Sequence, residues 1–377
     1  MLVREVGIPL VRLTLVSLLV GCTASESPAA DLRGELGDSV SDVTADTPEV
    51  CSSTVTLGDP VFVVPSPGLP AGLEVGQANN NLDVVVHDGR HYLAFRSAAS
   101  HFASPDTWLY VVSSADKSNW DFEVTLQLGA DIREPRFLSM DDQLLLFYAV
   151  LGENPMDFEP KGMMVTSHSE EGGWRDPEWA YLEGFIPWRA RVVNDVPQLI
   201  GYVGGEDIYD TGESGLQVHW LKVGGAHDFT PMVPDQPVVL SGGVSETDIA
   251  ILPDGGLAAV ARNENGDGDG YGSKICSAPA ESKGQWTCAH DPRKYDSPLI
   301  FVQGSRILLV GRRNVTETGN FDLGRTDLPA AERFLAYQLD YWETPKRCAL
   351  WDVDPSTLEV SHIVDLPSAG DVSSALV

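Results

Sequence analysis

A unit of about fifty residues recurs along this 377-residue chain, and no other feature restricts its folding as strongly. Each copy has a short apolar stretch, an acidic or glycine turn, and a second apolar stretch. With Asn81, Pro135, Trp188, Thr247 and Ser297 as anchors, successive copies start 54, 53, 59 and 50 residues apart. The turn residues Asp88, Asp142, Asp195, Asp254 and Gly304 each follow their anchor by seven positions. The second stretches are Tyr92–Phe95, Leu144–Tyr148, Leu199–Tyr202, Leu257–Val260 and Ile307–Val310, all continuous apolar runs. Such runs mark strands buried on both faces. A hairpin unit cannot bury both faces alone, so copies at this period pack around a common axis. The expectation is an all-β chain, a β-propeller with five complete four-stranded blades plus a partial sixth. The sixth is Asp371–Val377, which aligns with Asp296–Val302 and stops where its turn is due. Either this strand closes the ring with N-terminal residues such as Asp59–Val64, or the sequence is a truncated product.

Ahead of the repeat lie two segments of different composition. Arg4 and Arg12 precede the apolar run Leu13–Val20, which is far below the roughly 20 residues of a spanning helix. The run ends in Leu19-Val20-Gly21-Cys22, which resembles the lipobox of bacterial lipoproteins. That resemblance implies a signal peptide over 1–21, lipidation of Cys22 and, because Thr23 and not aspartate follows, an outer-membrane destination in the bacterial cell envelope. Residues 22–57, rich in Ala, Ser, Thr, Asp and Glu, are expected to be a disordered acidic tether, since they bury too little apolar surface to offset ordering entropy. The propeller domain then occupies 58–377.

Charge narrows the partners. The chain has 25 basic and 55 acidic side chains, for a net charge of −30. Such a surface repels phosphate backbones and anionic bilayers, so no nucleic acid is expected and membrane attachment runs through the lipid anchor alone. A monomer is expected. No HExxH, CxxC, GxSxG, phosphate loop or dinucleotide fingerprint occurs, so neither metal nor cofactor is expected. The loop Asn263–Gly270 alternates oxygen-bearing residues, yet Lys274 stands where calcium-loop spacing requires glutamate, so it reads as a solvated blade loop. Cys276 and Cys288 fall in the third and fourth strands of one unit, across a hairpin, which makes a disulfide plausible in an exported protein. Cys51 and Cys348 are a further candidate pair.

In a propeller the first strands line a central funnel, where polar residues are costly unless paired or functional. Those strands carry Arg133-Glu134-Pro135-Arg136, Trp188-Arg189-Ala190-Arg191, Glu246-Thr247-Asp248 and Arg293-Lys294-Tyr295-Asp296. Second strands add Arg96, Arg262-Asn263-Glu264 and Arg312-Arg313-Asn314. Arg133, Arg189, Arg262 and Arg312 are expected at equivalent blade positions, forming a cationic pocket within an acidic exterior. Phe185, Trp188, Tyr271 and Trp342 are candidates to stack on sugar faces.

The later half of each unit also repeats. Ser114-Ala115-Asp116-Lys117-Ser118-Asn119-Trp120 resembles the Asp-box turn of sialidases, one residue short. The blade pattern as a whole resembles the sialidase-like propeller superfamily. That resemblance implies an arginine cluster gripping a substrate carboxylate, an acid, and a late tyrosine, for which Tyr337 and Tyr341 are candidates. Arg133-Glu134-Pro135 is also similar to the Arg-Asp-Pro motif of five-bladed glycosidases, which implies Asp83 and Glu246 as partner acids. The combined expectation is a carbohydrate ligand, with Glu134, Glu246 and Asp248 as catalytic acids and Arg133, Arg136, Arg189, Arg191, Arg262, Arg312 and Trp188 as substrate-binding residues. Two alternatives stand beside the glycoside hydrolase: a surface glycan-binding propeller without catalysis, and a protein-interaction propeller.

Overall fold

The computed structural model describes residues 54–368, apart from 142, 156 and 206–214, together with the short strands Leu13–Leu15 and Leu18–Gly21. Five antiparallel sheets of four consecutive strands form the blades. Blade 1 runs through Ala78–His87, Arg90–Ala98, Trp108–Ser114 and Asp121–Leu126. Blade 2 runs through Ile132–Met140, Gln143–Val150, Gly162–Ser169 and Glu178–Glu183. Blade 3 comprises Ile186–Val193, Val196–Val203, Leu216–Gly225 and Val238–Gly242. Blade 4 comprises Thr247–Ile251, Leu257–Asp267, Gly270–Ala278 and Thr287–Asp291. Blade 5 comprises Asp296–Gln303, Arg306–Asn314, Lys346–Val353 and Val360–Asp365. Two blades carry a short extra strand beside their third, Gly173–Trp174 in blade 2 and Asp228–Pro231 in blade 3. A separate unit, Val16–Pro60, holds a ribbon of Leu18–Gly21 paired with Thr54–Leu57. Thr54–Leu57, taken from composition as the end of the tether, is thus a strand.

The blade core explains the apolar runs. Leu144, Leu146 and Tyr148 face Tyr92, Leu109 and Val111 of blade 1, while Leu145 and Phe147 face Leu199, Leu221 and Val223 of blade 3. Alternate side chains of one strand therefore enter different interfaces, and neither face is polar. The turns that close these hairpins need left-handed backbone. Asp88 and Gly89 have φ of 48° and 75°, and Asn194 and Asp195 have φ of 49° and 60°. Asn, Asp and Gly tolerate that conformation best, which is why they punctuate the repeat.

Three expectations change or move out of view. The described chain forms five four-stranded sheets, and the partial sixth at 371–377 lies outside the described residues. Val61–Val64 pairs with Leu13–Leu15 and joins no blade. Its neighbours Val63, Val64, Leu69, Leu73 and Val75 instead cover blade 1 around Leu93, Phe95 and Tyr110. Cys22, Cys51 and most of the signal and tether also lie outside the described residues. The Cys276–Cys288 disulfide forms across the third and fourth strands of blade 4.

The degenerate Asp-box is a working turn despite its missing residue. Asp116 Oδ1 accepts the backbone N–H groups of Ser118 and Asn119 at 2.8 and 2.7 Å, and Ser114 Oγ donates to the Asn119 carbonyl at 2.6 Å. Lys117 takes up the shortened path at φ 63°, and Trp120 is buried against blade 1. Those amide donors lower the Asp116 pKa.

Candidate functional site

A bulge near the start of the first strand shapes the funnel wall. Asn81, Glu134 and Ser297 sit there with φ of 43°, 53° and 52°, each where the ladder slips register. A non-glycine residue at such φ is strained, and bulges that re-aim side chains cluster near functional sites. Two positions after the bulge, Asp83 Oδ2 accepts the Phe137 N–H of the next blade at 2.7 Å. Asp248 Oδ2 does the same to Ile300 N–H at 2.9 Å. The matching bonds identify Glu246 as the blade 4 counterpart of Asn81, Glu134 and Ser297. The repeat anchors Pro135 and Thr247 thus fall one residue past the structural equivalents, Glu134 and Glu246.

Neighbouring bulge residues touch across the blades. Asn81 Nδ2 donates to Glu134 Oε1, and Ser297 N–H donates to Glu246 Oε2 at 2.8 Å. Glu134 Oε2 also pairs with Arg136 at 2.7 Å. The Arg136 guanidinium lies 5.0 Å above the Trp188 ring and donates to the Trp188 and Pro135 carbonyls. Trp188 is therefore buried beneath the clamp instead of facing a ligand. Farther around, Arg262 Nη1 lies 2.9 Å from Glu246 and 3.7 Å from Asp296, with Nη2 3.5 Å from Glu264. Lys294 Nζ pairs with Glu264 at 2.5 Å and Asp296 at 3.6 Å, and Arg312 pairs with Asp296 at 3.4 Å.

The floor of the funnel is built from blade 3. Arg189 and Arg191 reach across to the carbonyls of Pro298 and Ile300 in blade 5, both within hydrogen-bond range at 3.3 and 3.2 Å. Asp248 pairs with both arginines and also accepts its neighbour's N–H at Ile249. Burial draws the pKa of Arg189 down to about 10 and of Arg191 to about 9. Asp248, with its side chain 1% exposed, spends its oxygens on holding this floor.

Burial and neighbours set the wall acids apart. Desolvation, with the charges of Asp296 and Glu134 adding to it, pushes Glu246 up to about 7 against the pull of Arg262. Asp83 is raised by burial as well. Asp296 is more deeply buried, yet Lys294, Arg312 and Arg262 overcome the desolvation and hold it at about 2. Glu264 is lowered in the same way, with Arg262 and Lys294 outweighing burial.

Several expected residues stand elsewhere. Arg133, Arg189, Arg262 and Arg312 are not equivalent. Arg133 and Arg189 lie on first strands opposite Ala149 and Ile200. Arg262 and Arg312 lie on second strands, where their counterpart is Arg96, which pairs with the buried Asp131 at 2.9 Å. Arg133 binds the other oxygen of Asp131, so both arginines brace the wall. Phe185 and Tyr271 are packing residues, within the blade 2–3 core and under the helix. Tyr337 accepts the Arg325 N–H inside the helix contact. Tyr341, in the last turn of helix Ala330–Glu343, donates to Asp296 and is capped by Lys294 at 3.6 Å. Burial and the nearby carboxylates raise its pKa well above the ordinary value, which opposes ionisation. The loop read as a poor calcium site holds a cation of its own chain: Lys274 Nζ lies 2.5 Å from Asp267 and 3.3 Å from Asp269.

Asp296 and Lys294 were visible in the sequence only as part of a charged run. What makes them wall residues is the contact with Arg262, Arg312 and Tyr341, which come from 34 residues before to 45 after Asp296. Another feature without a local signal is Phe102. It stacks on Trp342 at 6.2 Å with an interplanar angle of 24°, joining a blade 1 loop to the helix of blade 5. Both rings are exposed, Trp342 at 71%. These loops connect second to third strands, so the pair sits at the same end of the propeller as the bulges.

No protein-family model and no curated protein sequence matches this chain. Among solved structures it is similar to the Trypanosoma rangeli sialidase in complex with sialic acid, at 10% identity and a TM-score of 0.50, over 78% of this chain and 49% of that one. The chain thus spans about half the length of that sialidase. It is also similar to a protein of unknown function from Dyadobacter fermentans, at 16% identity and TM-score 0.45, over 71% of this chain and 82% of that one. A third similar structure is Zg3597, a family 117 glycoside hydrolase from Zobellia galactanivorans, at 12% identity and TM-score 0.40, over 73% and 84% of the respective chains. At 10% identity the likeness to the sialidase is one of fold, in keeping with the five four-stranded sheets of this all-β propeller.

Proposed function

We propose that this chain is an exported, lipid-anchored propeller whose funnel binds a glycan and cleaves a glycosidic bond, with Glu246 as general acid and Glu134 as the second carboxylate. The observation that carries this reading is selective access. The Glu134 and Glu246 side chains are 13% and 11% exposed, while those of Asp248, Glu264 and Asp296 are 1%, 4% and 1%. The two open acids lie close enough that the Glu134 charge helps to raise Glu246. Glycoside hydrolysis needs one protonated and one ionised carboxyl around the scissile bond. A Glu246 near 7 is protonated below neutrality and donates to the leaving oxygen. Arg262 at 2.9 Å and the Ser297 N–H at 2.8 Å then stabilise the carboxylate that remains. Glu134, paired with Arg136, acts as base or nucleophile on the opposite face. Arg262 and Arg136 therefore position the acids, and Asp248 with Arg189 and Arg191 supports the floor beneath them.

Hydrolysis of a glycan panel tests the assignment. Glu246→Gln and Glu134→Gln are each expected to lower turnover by roughly 10²–10⁴-fold while leaving the melting temperature near that of the parent. Binding without turnover by the parent protein would instead establish the non-catalytic glycan-binding reading. Export and anchoring are tested separately. Cys22→Ser should move the protein from the membrane fraction to the soluble one and abolish labelling by a palmitate analogue.

A further inference from the structure

We infer that the funnel selects neutral, hydroxyl-rich sugars and rejects acidic ones, an inference that rests on the glycan reading above. The arginines that could grip a carboxylate already hold carboxylates of their own chain. Arg136 lies 2.7 Å from Glu134, Arg262 lies 3.5 Å from Glu264, and Arg312 lies 3.4 Å from Asp296. Arg189 and Arg191 share Asp248 and spend further N–H groups on backbone carbonyls across the floor. Lys294 is closed in by Glu264, Asp296 and the Tyr341 ring. An incoming carboxylate would have to displace one of these partners and leave it buried without its countercharge, at a cost greater than the pair it forms.

Hydrogen-bond demand points the same way. Asn81 Oδ1 and Asn263 Oδ1 are buried acceptors with no hydrogen-bond donor among the described residues, and Trp188 Nε1 is a buried donor with no acceptor among them. Sugar hydroxyls donate as well as accept, so they suit a wall that leaves groups of both kinds unpartnered, whereas a carboxylate can only accept. The exposed Phe102–Trp342 stack at the same end offers an uncharged π-face to a pyranose ring. The wall is consequently arranged for polar recognition without net capture of negative charge.

Calorimetry with the full chain tests this, using cellotetraose, xylotetraose, mannotetraose and arabinotetraose as neutral probes and 3′-sialyllactose and tetragalacturonate as acidic ones. At least one neutral probe is expected to bind at least about tenfold more tightly than either acidic probe at pH 7, a preference set by like-charge juxtaposition. Tighter binding of an acidic probe would overturn this inference and leave the glycan reading standing. Failure of every probe to bind would overturn both. A second measurement separates charge from shape. Asp296→Asn relieves Lys294 and Arg312 of one countercharge, so it should improve affinity for the acidic probes several-fold and leave that for the neutral probe within about twofold. Unchanged acidic-probe affinity in this variant, with its fold verified by circular dichroism, would reject electrostatic exclusion.

Discussion

The wall between blades 1 and 2 and the wall between blades 4 and 5 are built on one backbone plan with opposite chemistry. In both, an aspartate two positions after the bulge accepts an amide of the next blade: Asp83 with Phe137 at 2.7 Å, Asp248 with Ile300 at 2.9 Å. In both, the residue two positions before that aspartate hydrogen-bonds the bulge residue of the next blade. On the first wall the leading blade supplies the donor, Asn81, and the following blade supplies the acid, Glu134. On the second wall the order reverses, with Glu246 leading and the Ser297 N–H following. The brace recurs on these two walls, where it ties one blade to the next. The bulge residue is free to vary, because its backbone is fixed by the ladder on either side and its side chain faces the funnel. On these two walls the open acids accordingly sit at the position where the leading and following blades differ.

Breaking the braces should have the largest effect on stability, and unequally. Asp248→Ala strips the countercharge from Arg189 and Arg191 and an acceptor from Ile300, and is expected to cost about 3–5 kcal/mol. Asp83→Asn keeps an acceptor for Phe137 at a site where burial already disfavours the charge, so it should cost only about 0.5–1.5 kcal/mol. Urea unfolding of the two variants measures the contrast. Equal losses would show that the walls are energetically alike.

The next effect is pH dependence on the second wall. Because Glu246 is raised from 4.5 to about 7, it binds its proton more tightly folded than unfolded. Its stabilising contribution is thus full below about pH 4.5 and is lost as pH rises through 7. The melting temperature of the parent should fall from pH 5 to pH 8 more steeply than that of Glu246→Gln. Turnover should decline above about pH 7 as the general acid deprotonates. A parallel fall in parent and variant would assign the titration to another group.

Relief of backbone strain is the smallest effect. Ser297 holds φ 52° while contributing a backbone N–H, so Ser297→Gly should stabilise by roughly 0.5–1 kcal/mol with turnover retained. Glu134→Gly relieves the same kind of strain at φ 53° and should lose turnover with the carboxylate. Loss of activity in both would mean that the bulge geometry, not the side chain, carries the function.

The fold was legible because its signals are local. Five apolar second strands and five Asp, Asn or Gly turns lie within ten residues of one another in each copy, and blade interfaces reuse the same pattern. Wall residues were legible as charged runs, and Glu134 and Glu246 stood in them. Their division of labour was not. Whether an arginine grips a ligand or a neighbour depends on which carboxylate another blade brings to it. Arg133 and Arg96 meet over Asp131, and Arg262 meets Asp296 from the next blade. Phe185, Trp188 and Tyr271 were equally ambiguous, since an aromatic near a funnel stacks on sugar or on its own core according to a few ångströms of depth.

The sequence by itself determined that this chain repeats a hairpin unit and that its few basic side chains gather on the strands lining an axis, for both are properties of neighbours along the chain. Only the tertiary structure decided which acids stay open, which arginines are already occupied and that Glu246 is pushed to about 7. Those outcomes arise from burial and from charges on separate blades. Both are set by the closure of the ring and by no residue's sequence neighbours.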